Sequence, residues 1–174
     1  MNCKWLLSIL ILIVSVCVSC RESRKTIQNN RLEAMIGVRI TSVDSVLSGL
    51  VSETNIIMIC SVYDCGSCLA AAFSEVEEVN RQLVSGKVQI IGVLTDPTPL
   101  QTRFSYFDYI AFDADDMIRR QLKYIPTPVF IIYDKDKKVR FFHTPSSSDN
   151  VSSVSSQLAG QSNSIVRSVL SSHL

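Results

Sequence analysis

Asp64-Cys65-Gly66-Ser67-Cys68 places two thiols three positions apart with only small residues between them. The run before it, Asn55 to Val62, is apolar and β-branched enough for a buried strand. The run after it, Leu69 to Leu83, repeats its apolar residues at helical spacing. The pair therefore stands where a strand hands over to a helix. Residues three apart at a helix start lie one turn from each other on the same side, so the sulfurs can close a small ring or face one substrate.

Working outward, the strand from about Asn55 to Val62 is continuous in its hydrophobicity, which places it centrally with both faces covered. In the following helix Leu69, Phe73, Val76, Val79 and Leu83 form the apolar side, Glu75, Glu77, Glu78 and Arg81 the polar side, and Gly86 the end. Val88 to Leu94 reads as a second buried strand, and Asp96-Pro97-Thr98-Pro99 as a turn into a helix around Leu100 to Tyr106. A short strand at Tyr109 to Phe112 comes next, then a helix from about Asp115 to Leu122 capped by Asp113 or Asp115. Val129 to Tyr133 and Val139 to Phe142 make a hairpin around Asp134-Lys135-Asp136-Lys137-Lys138, whose lysines read as a solvated turn. From Ser146 onward serine dominates, but Val151, Val154, Leu158, Ile165 and Val169 fall on a helical stripe broken near Gly160. Ahead of the thiols, Leu32 to Ile36 suggests a short helix ending at Gly37, Val38 to Ile40 a short strand, and Ser42 to Ser52 a surface segment. The order of elements predicts an α/β sheet with covering helices.

The 174 residues suffice for one domain of ordinary size. With 17 basic against 16 acidic residues the net charge is +1, which supplies no field to hold nucleic acid. Lys4 is followed by an almost wholly apolar run from Leu6 to Val18 and then by small residues, the three parts of a secretory signal. The run falls short of the roughly 20 apolar residues a membrane span needs. Val18-Ser19-Cys20 resembles the lipobox of bacterial lipoproteins, with Cys17 where that motif commonly has Leu or Val. The resemblance implies a signal peptide over 1–19, a lipidated Cys20 as first mature residue, a polar tether to Asn30, and a folded domain over 31–174 in an oxidising compartment. Cys60, Cys65 and Cys68 then remain; Cys60, inside the apolar strand, reads as a small buried hydrophobe, with a third redox thiol as the alternative.

Four features together resemble the thioredoxin fold, specifically exported reductases of the TlpA/ResA kind. They are the Cys65-Gly66-Ser67-Cys68 pair between strand and helix, the Tyr124-Ile125-Pro126-Thr127-Pro128 loop, the Val129 to Asp134 strand with its hairpin, and a helix-strand insertion between Leu94 and Asp113. The likeness covers about Val38 to Leu170. It implies a central mixed sheet flanked by helices and a cis proline in the Thr-Pro loop. Pro126 and Pro128 compete for that role, and the spacing to Asp134 favours Pro128. A cis bond there brings Thr127 beside the cysteines, with backbone groups open to a substrate strand.

The implied activity is thiol-disulfide exchange without metal or cofactor. Cys65 is the expected nucleophile, because a helix N-terminus stabilises negative charge, and Cys68 the resolving thiol. Substrates would be disulfide-containing exported proteins, and the electron donor a membrane component. Asp64 opposes a second negative charge beside it and so leans the pair toward reduction; capping the helix or facing water are its alternative roles. Two departures from the family stand out. Ile59 occupies the position of the buried carboxylate, so the sequence identifies no proton acceptor for Cys68, and Tyr63 stands near the usual tryptophan, where it either covers the disulfide or flanks a binding groove. The rival readings are a binding module whose disulfide is structural, and a copper site of Cys65, Cys68 and His143.

Overall fold

Strand β1 (Thr54–Cys60) is the centre of the sheet, and its sequence explains why: Ile56, Ile57, Met58 and Ile59 alternate between faces, yet each is at most 1% exposed. A strand apolar on both faces is stable only when both are covered, and each such side chain contributes about 1.5–3 kcal/mol on burial. The structure, a computed structural model, describes residues 32–47, 54–61, 63–83, 88–94, 107–145 and 151–171. The expected signal peptide, lipidation site, tether, Asp96–Pro99 turn and Leu100–Tyr106 helix lie outside them.

The chain divides into two units, Met1–Met35 and Ile36–Leu174. Of the first, the described part is a single turn closed by the 2.9 Å bond from the Met35 N–H to the Leu32 carbonyl. The second holds a five-stranded sheet in the order β3-β2-β1-β4-β5, where β2 is Val88–Leu94, β3 Tyr109–Phe112, β4 Val129–Asp134 and β5 Val139–His143. β1 to β3 run parallel, and β4 and β5 join antiparallel. Among the described residues the helices beside the sheet are α1 (Ser42–Leu47), α2 (Gly66–Gln82), α3 (Met117–Gln121) and α4 (Val151–Ser171).

The strands match their expected positions to within two residues. The expected strand Val38–Ile40 is reduced to one bridge, Arg39 with Lys138. On one face of the sheet Ile56, Met58, Cys60, Phe130 and Ile132 pack with Ala72, Phe73, Val76 and Val79 of α2 and Leu158 of α4. Period-two alternation sends Ile57, Ile59, Ile131 and Tyr133 to the other face. There burial, reinforced by the charge of Asp44 on α1, pushes the Tyr133 phenol pKa up.

Several expectations are corrected. Ser42 to Leu47, expected as surface chain, is the helix α1, because Val43 and Leu47 are spaced to bury one face and both are fully buried. Gln121 fastens its start: Oε1 accepts from the Ser42 N–H and hydroxyl at 3.0 and 2.8 Å, and Nε2 donates to the Arg39 carbonyl at 3.0 Å. Lys137 is not a solvated turn lysine but an ion-pair partner of Asp44. Asp116 holds the N-cap position of α3 without a side-chain cap bond, and the capping side chain is that of Asp113, whose two carboxylate oxygens accept from the Met117 and Ile118 N–H groups at 2.8 Å each.

Gly160 does not break α4, which runs continuously through it. A Cβ added at Gly160 would meet nothing within 4 Å, so the residue gives the helix only backbone entropy to lose. Gly160→Ala is expected to raise stability by about 0.5–1 kcal/mol, read as a higher urea midpoint at unchanged slope.

Candidate active site

The register of β1 against β4 determines which loops meet. Ile59 pairs with Val129, and β1 and β4 run in opposite directions, so the chain leaving β1 and the chain entering β4 lie at the same end of the sheet. The first carries Cys65 and Cys68, the second Thr127 and Pro128. The peptide bond between Thr127 and Pro128 is cis, and Pro128 is buried while Pro126 is exposed.

Cys65 and Cys68 form a disulfide with their Cα atoms 5.2 Å apart. Cys65 is the N-cap of α2, and its Sγ accepts the Cys68 N–H at 3.1 Å. The Ser67 hydroxyl lies 3.5 Å from the same sulfur. The first N–H groups of a helix have no partner within it, so a sulfur in the cap position takes a donor that would otherwise face water. Cys65 is exposed and Cys68 half-buried, which makes Cys65 the accessible sulfur. Cys60, by contrast, is 2% exposed and belongs to the core, as its apolar strand suggests.

Asp64 takes neither of its alternative roles. Its Oδ2 turns back to accept the Ser61 N–H at 2.7 Å, and its Oδ1 accepts the Thr127 hydroxyl at 2.5 Å. It is thus the direct link between the cysteine loop and the proline loop. Nothing in the sequence points to this, because the two residues are 63 positions apart. The proline loop is also held from α3, where Arg119 Nε donates to the Ile125 carbonyl at 2.9 Å. Lys123 and Tyr124, between them, both have positive φ, 55° and 56°, a conformation that ordinary side chains adopt at a cost. Tyr63 does not cover the disulfide: it is 93% exposed.

Glu75, expected on the polar side of α2, is fully buried. It lies seven residues past Cys68, on the same side of the helix two turns on. Its Oε2 is 3.1 Å from His143 Nε2 on β5, close but off the hydrogen-bonding direction, and Oε1 is 3.4 Å from the same nitrogen. Phe130 stacks on the His143 ring with centroids 6.2 Å apart. His143, a member of the copper reading, thus faces a carboxylate, and among the described residues no three His, Cys, Asp or Glu side chains gather as a metal-binding group. The signal that exposes Glu75 in the sequence is its position: it falls between Phe73 and Val76 of the apolar stripe, seven residues from Cys68.

Compared by sequence, the chain matches no family model and no curated protein. Compared by structure, it is similar to a protein assigned as a thiol:disulfide interchange protein DsbE from Chlorobium tepidum, at TM-score 0.52 and 16% identity over 69% of this chain and 84% of that one. It is similar to a thioredoxin-like superfamily protein at TM-score 0.52 and 15% identity, covering 69% and 84% of the two chains. A third likeness is to the C-terminal domain of an assigned thiol-disulfide oxidoreductase from Bacteroides thetaiotaomicron, at TM-score 0.51 and 12% identity over 67% and 79%.

Asp116 bears on the support of the proline loop. It has a left-handed φ of 53°, its Oδ2 is 3.4 Å from Arg119, and its Oδ1 is buried without a hydrogen-bond partner. Burial pushes its carboxyl pKa up, Arg119 opposes the shift and Asp113 adds to it. The folded state therefore holds this proton more tightly than the unfolded chain, and stability falls as pH rises through the carboxylate range. Asp116→Asn, which tolerates the left-handed backbone, is expected to raise the melting temperature at pH 7, and the gain is expected to vanish in scans below the carboxylate range.

The sheet order, the disulfide opening α2 and the cis Thr127–Pro128 bond opposite it agree with the structural likenesses: this chain has the thioredoxin-like fold.

Proposed function

We propose that the protein is a thiol-disulfide oxidoreductase of the bacterial cell envelope, anchored by lipid on Cys20 and facing the periplasm, that exchanges disulfides with exported proteins and draws electrons from a membrane donor. The observation that carries this is the placement of the Cys65–Cys68 disulfide: exposed, at the start of a long helix, with a backbone N–H on the Cys65 sulfur and the cis-proline loop linked to its neighbour Asp64. A disulfide whose task was only to hold the fold would gain little from closing a ring this small, since the entropy removed from the unfolded chain grows with loop length.

In the reducing direction the Cys65 thiolate attacks one sulfur of a substrate disulfide. The Cys65–substrate bond forms as the substrate disulfide breaks, and the released thiolate takes a proton. The Cys68 thiolate then attacks the Cys65 sulfur, the intramolecular disulfide forms, and the second substrate thiolate leaves and is protonated. Two electrons pass from the pair to the substrate, and the membrane donor restores them. Thr127, Pro128 and Tyr63 are the proposed substrate contacts: Tyr63 stands two residues before Cys65, and Thr127, which bonds Asp64 beside Cys65, precedes the cis Pro128.

Reduction is the favoured direction. The helix N-terminus favours the Cys65 thiolate, and the adjacent Asp64 carboxylate opposes it. A less stable thiolate makes the reduced pair the better electron donor. With dithiothreitol as reductant, the purified chain is expected to speed insulin reduction, and Cys65→Ser and Cys68→Ser to fall to the uncatalysed rate. Cys68→Ser should hold a substrate on Cys65 as a mixed disulfide visible by mass, while Cys65→Ser holds none. Equilibration with glutathione is expected to give a potential below about −200 mV, on the thioredoxin side of the scale. A pair that resists dithiol reductants and shows no turnover would favour the binding module instead.

A further inference from the structure

We infer that Asp64 is a positioning residue for the substrate: it fixes the Thr127–Pro128 loop at a set distance from Cys65 and so sets the affinity for protein disulfides. The inference rests on the oxidoreductase reading above and assigns to that site a residue beyond its two cysteines.

Three observations carry it. First, the two oxygens of one half-buried carboxylate are divided between the two loops: Oδ2 accepts from the Ser61 N–H at 2.7 Å, in the loop that leaves β1, and Oδ1 accepts from the Thr127 hydroxyl at 2.5 Å, in the loop that enters β4. Second, Thr127 immediately precedes the cis Pro128, and Asp64 immediately precedes Cys65, so the bond joins the residues adjoining both reactive features. Third, the proline loop has its other side-chain tether, Arg119 Nε to the Ile125 carbonyl at 2.9 Å, on the side of α3. The β1–β4 register brings the two loops to one end of the sheet, and the Asp64 bond joins the Thr127 side chain to the cysteine loop there.

A hydrogen bond to an ionised group is worth more than a neutral one, and losing a partner leaves the other group unsatisfied. The substrate must lie between the exposed Cys65 sulfur and the proline loop for the disulfide to align with the attacking sulfur. Releasing the loop adds conformations that binding must then select against. The cost falls on association with an extended protein substrate, and not on the reaction of the thiol with a small reagent that makes no use of the loop.

The same side chain also carries a charge beside the nucleophile, so the test separates bridge from charge. Asp64→Asn removes the charge but keeps an oxygen for the Ser61 N–H, and its amide N–H can donate to the Thr127 hydroxyl oxygen. Asp64→Ala removes both. Thr127→Val removes the donor and leaves the carboxylate, and Thr127→Ser restores it.

The measurement is steady-state reduction of a protein disulfide by the full chain with each substitution, beside the rate at which the reduced thiol reacts with an aromatic disulfide reagent. Asp64→Ala and Thr127→Val are expected to raise KM roughly tenfold with kcat changed less than twofold, the low end of what a charge-assisted hydrogen bond is worth. Asp64→Asn and Thr127→Ser are expected to return KM to within about threefold of wild type, and the Asp64→Ala, Thr127→Val pair to be no worse than either alone. The reagent rate should be the same in Asp64→Asn and Asp64→Ala, since both remove the charge beside the sulfur. Should Asp64→Asn behave as Asp64→Ala in both assays, the carboxylate acts through charge alone and the inference fails. It fails equally if Thr127→Val leaves KM unchanged, or if the double substitution is additive. A wild-type chain without turnover would overturn the oxidoreductase reading, and this inference with it; normal wild-type turnover with an unaltered KM in the variants overturns the inference alone.

Discussion

The antiparallel register of β1 with β4 is the constraint on which the site depends. Ile59 opposite Val129 brings the segment after β1 and the segment before β4 to the same end of the sheet. A strand rises about 3.3 Å per residue, so a slip of one position would carry Thr127 out of reach of Asp64 and turn every core side chain of β4 to the wrong face. The slip is opposed from both faces at once, because all six residues of β4 are buried. The same burial that stabilises the fold thus fixes the spacing of the chemistry. The hairpin beyond it is secured from one buried carboxylate: Asp134 accepts from the Asp136 and Lys138 N–H groups at 3.0 Å each and holds Arg140 by its guanidinium.

What the sequence made legible follows from period and local chemistry. β1, β2, β3 and both hairpin strands are runs whose hydrophobicity alone specifies them, and the Cys65–Cys68 pair announces itself by its spacing at the strand-to-helix junction. The spacing to Asp134 favours Pro128 over Pro126, and the cis bond is at Pro128. The features that escaped are of a different kind. α1 is only six residues long, too short for its period to rise above the surrounding serines, and its burial depends on tertiary partners. Gly160 is a breaker by propensity, overridden because α4 packs against α2 and β1 on either side of it, with Leu158, Ala159 and Ser162 buried. The Asp64 to Thr127 bond joins residues far apart in the chain, and no local pattern encodes such a pair.

Glu75 illustrates the same override with a charge. Read by composition it belongs with Glu77 and Glu78 on the wet side of α2, and Glu78 does stay near the surface, 2.7 Å from Arg81. Glu75 turns inward instead, toward His143. A buried carboxylate is tolerated only when a partner offsets the loss of water, and a pair of this kind destabilises strongly when one member is removed. It sits two turns past Cys68 on the helix that opens with the disulfide, while the position in β1 where thioredoxin keeps its carboxylate is the fully buried Ile59. The interior packed against α2 therefore holds an acidic group, on the helix and not on the strand.

The direction in which Asp64 turns also decides what caps α2. Aspartate is among the best N-cap residues, and an Asp just before a helix that starts at Gly66 is placed to compete for its orphan N–H groups. Were the carboxylate to take the Cys68 N–H, the Cys65 sulfur would lose the donor now 3.1 Å away, and the reduced sulfur would develop its charge with less help from the helix. The Ser61 N–H and the Thr127 hydroxyl occupy both oxygens of Asp64 and hold it off the helix start. The cap position is left to Cys65. One side chain thus performs two tasks through the same pair of bonds: it ties the proline loop to the cysteine loop, and by being tied it leaves the helix N-terminus to the Cys65 sulfur.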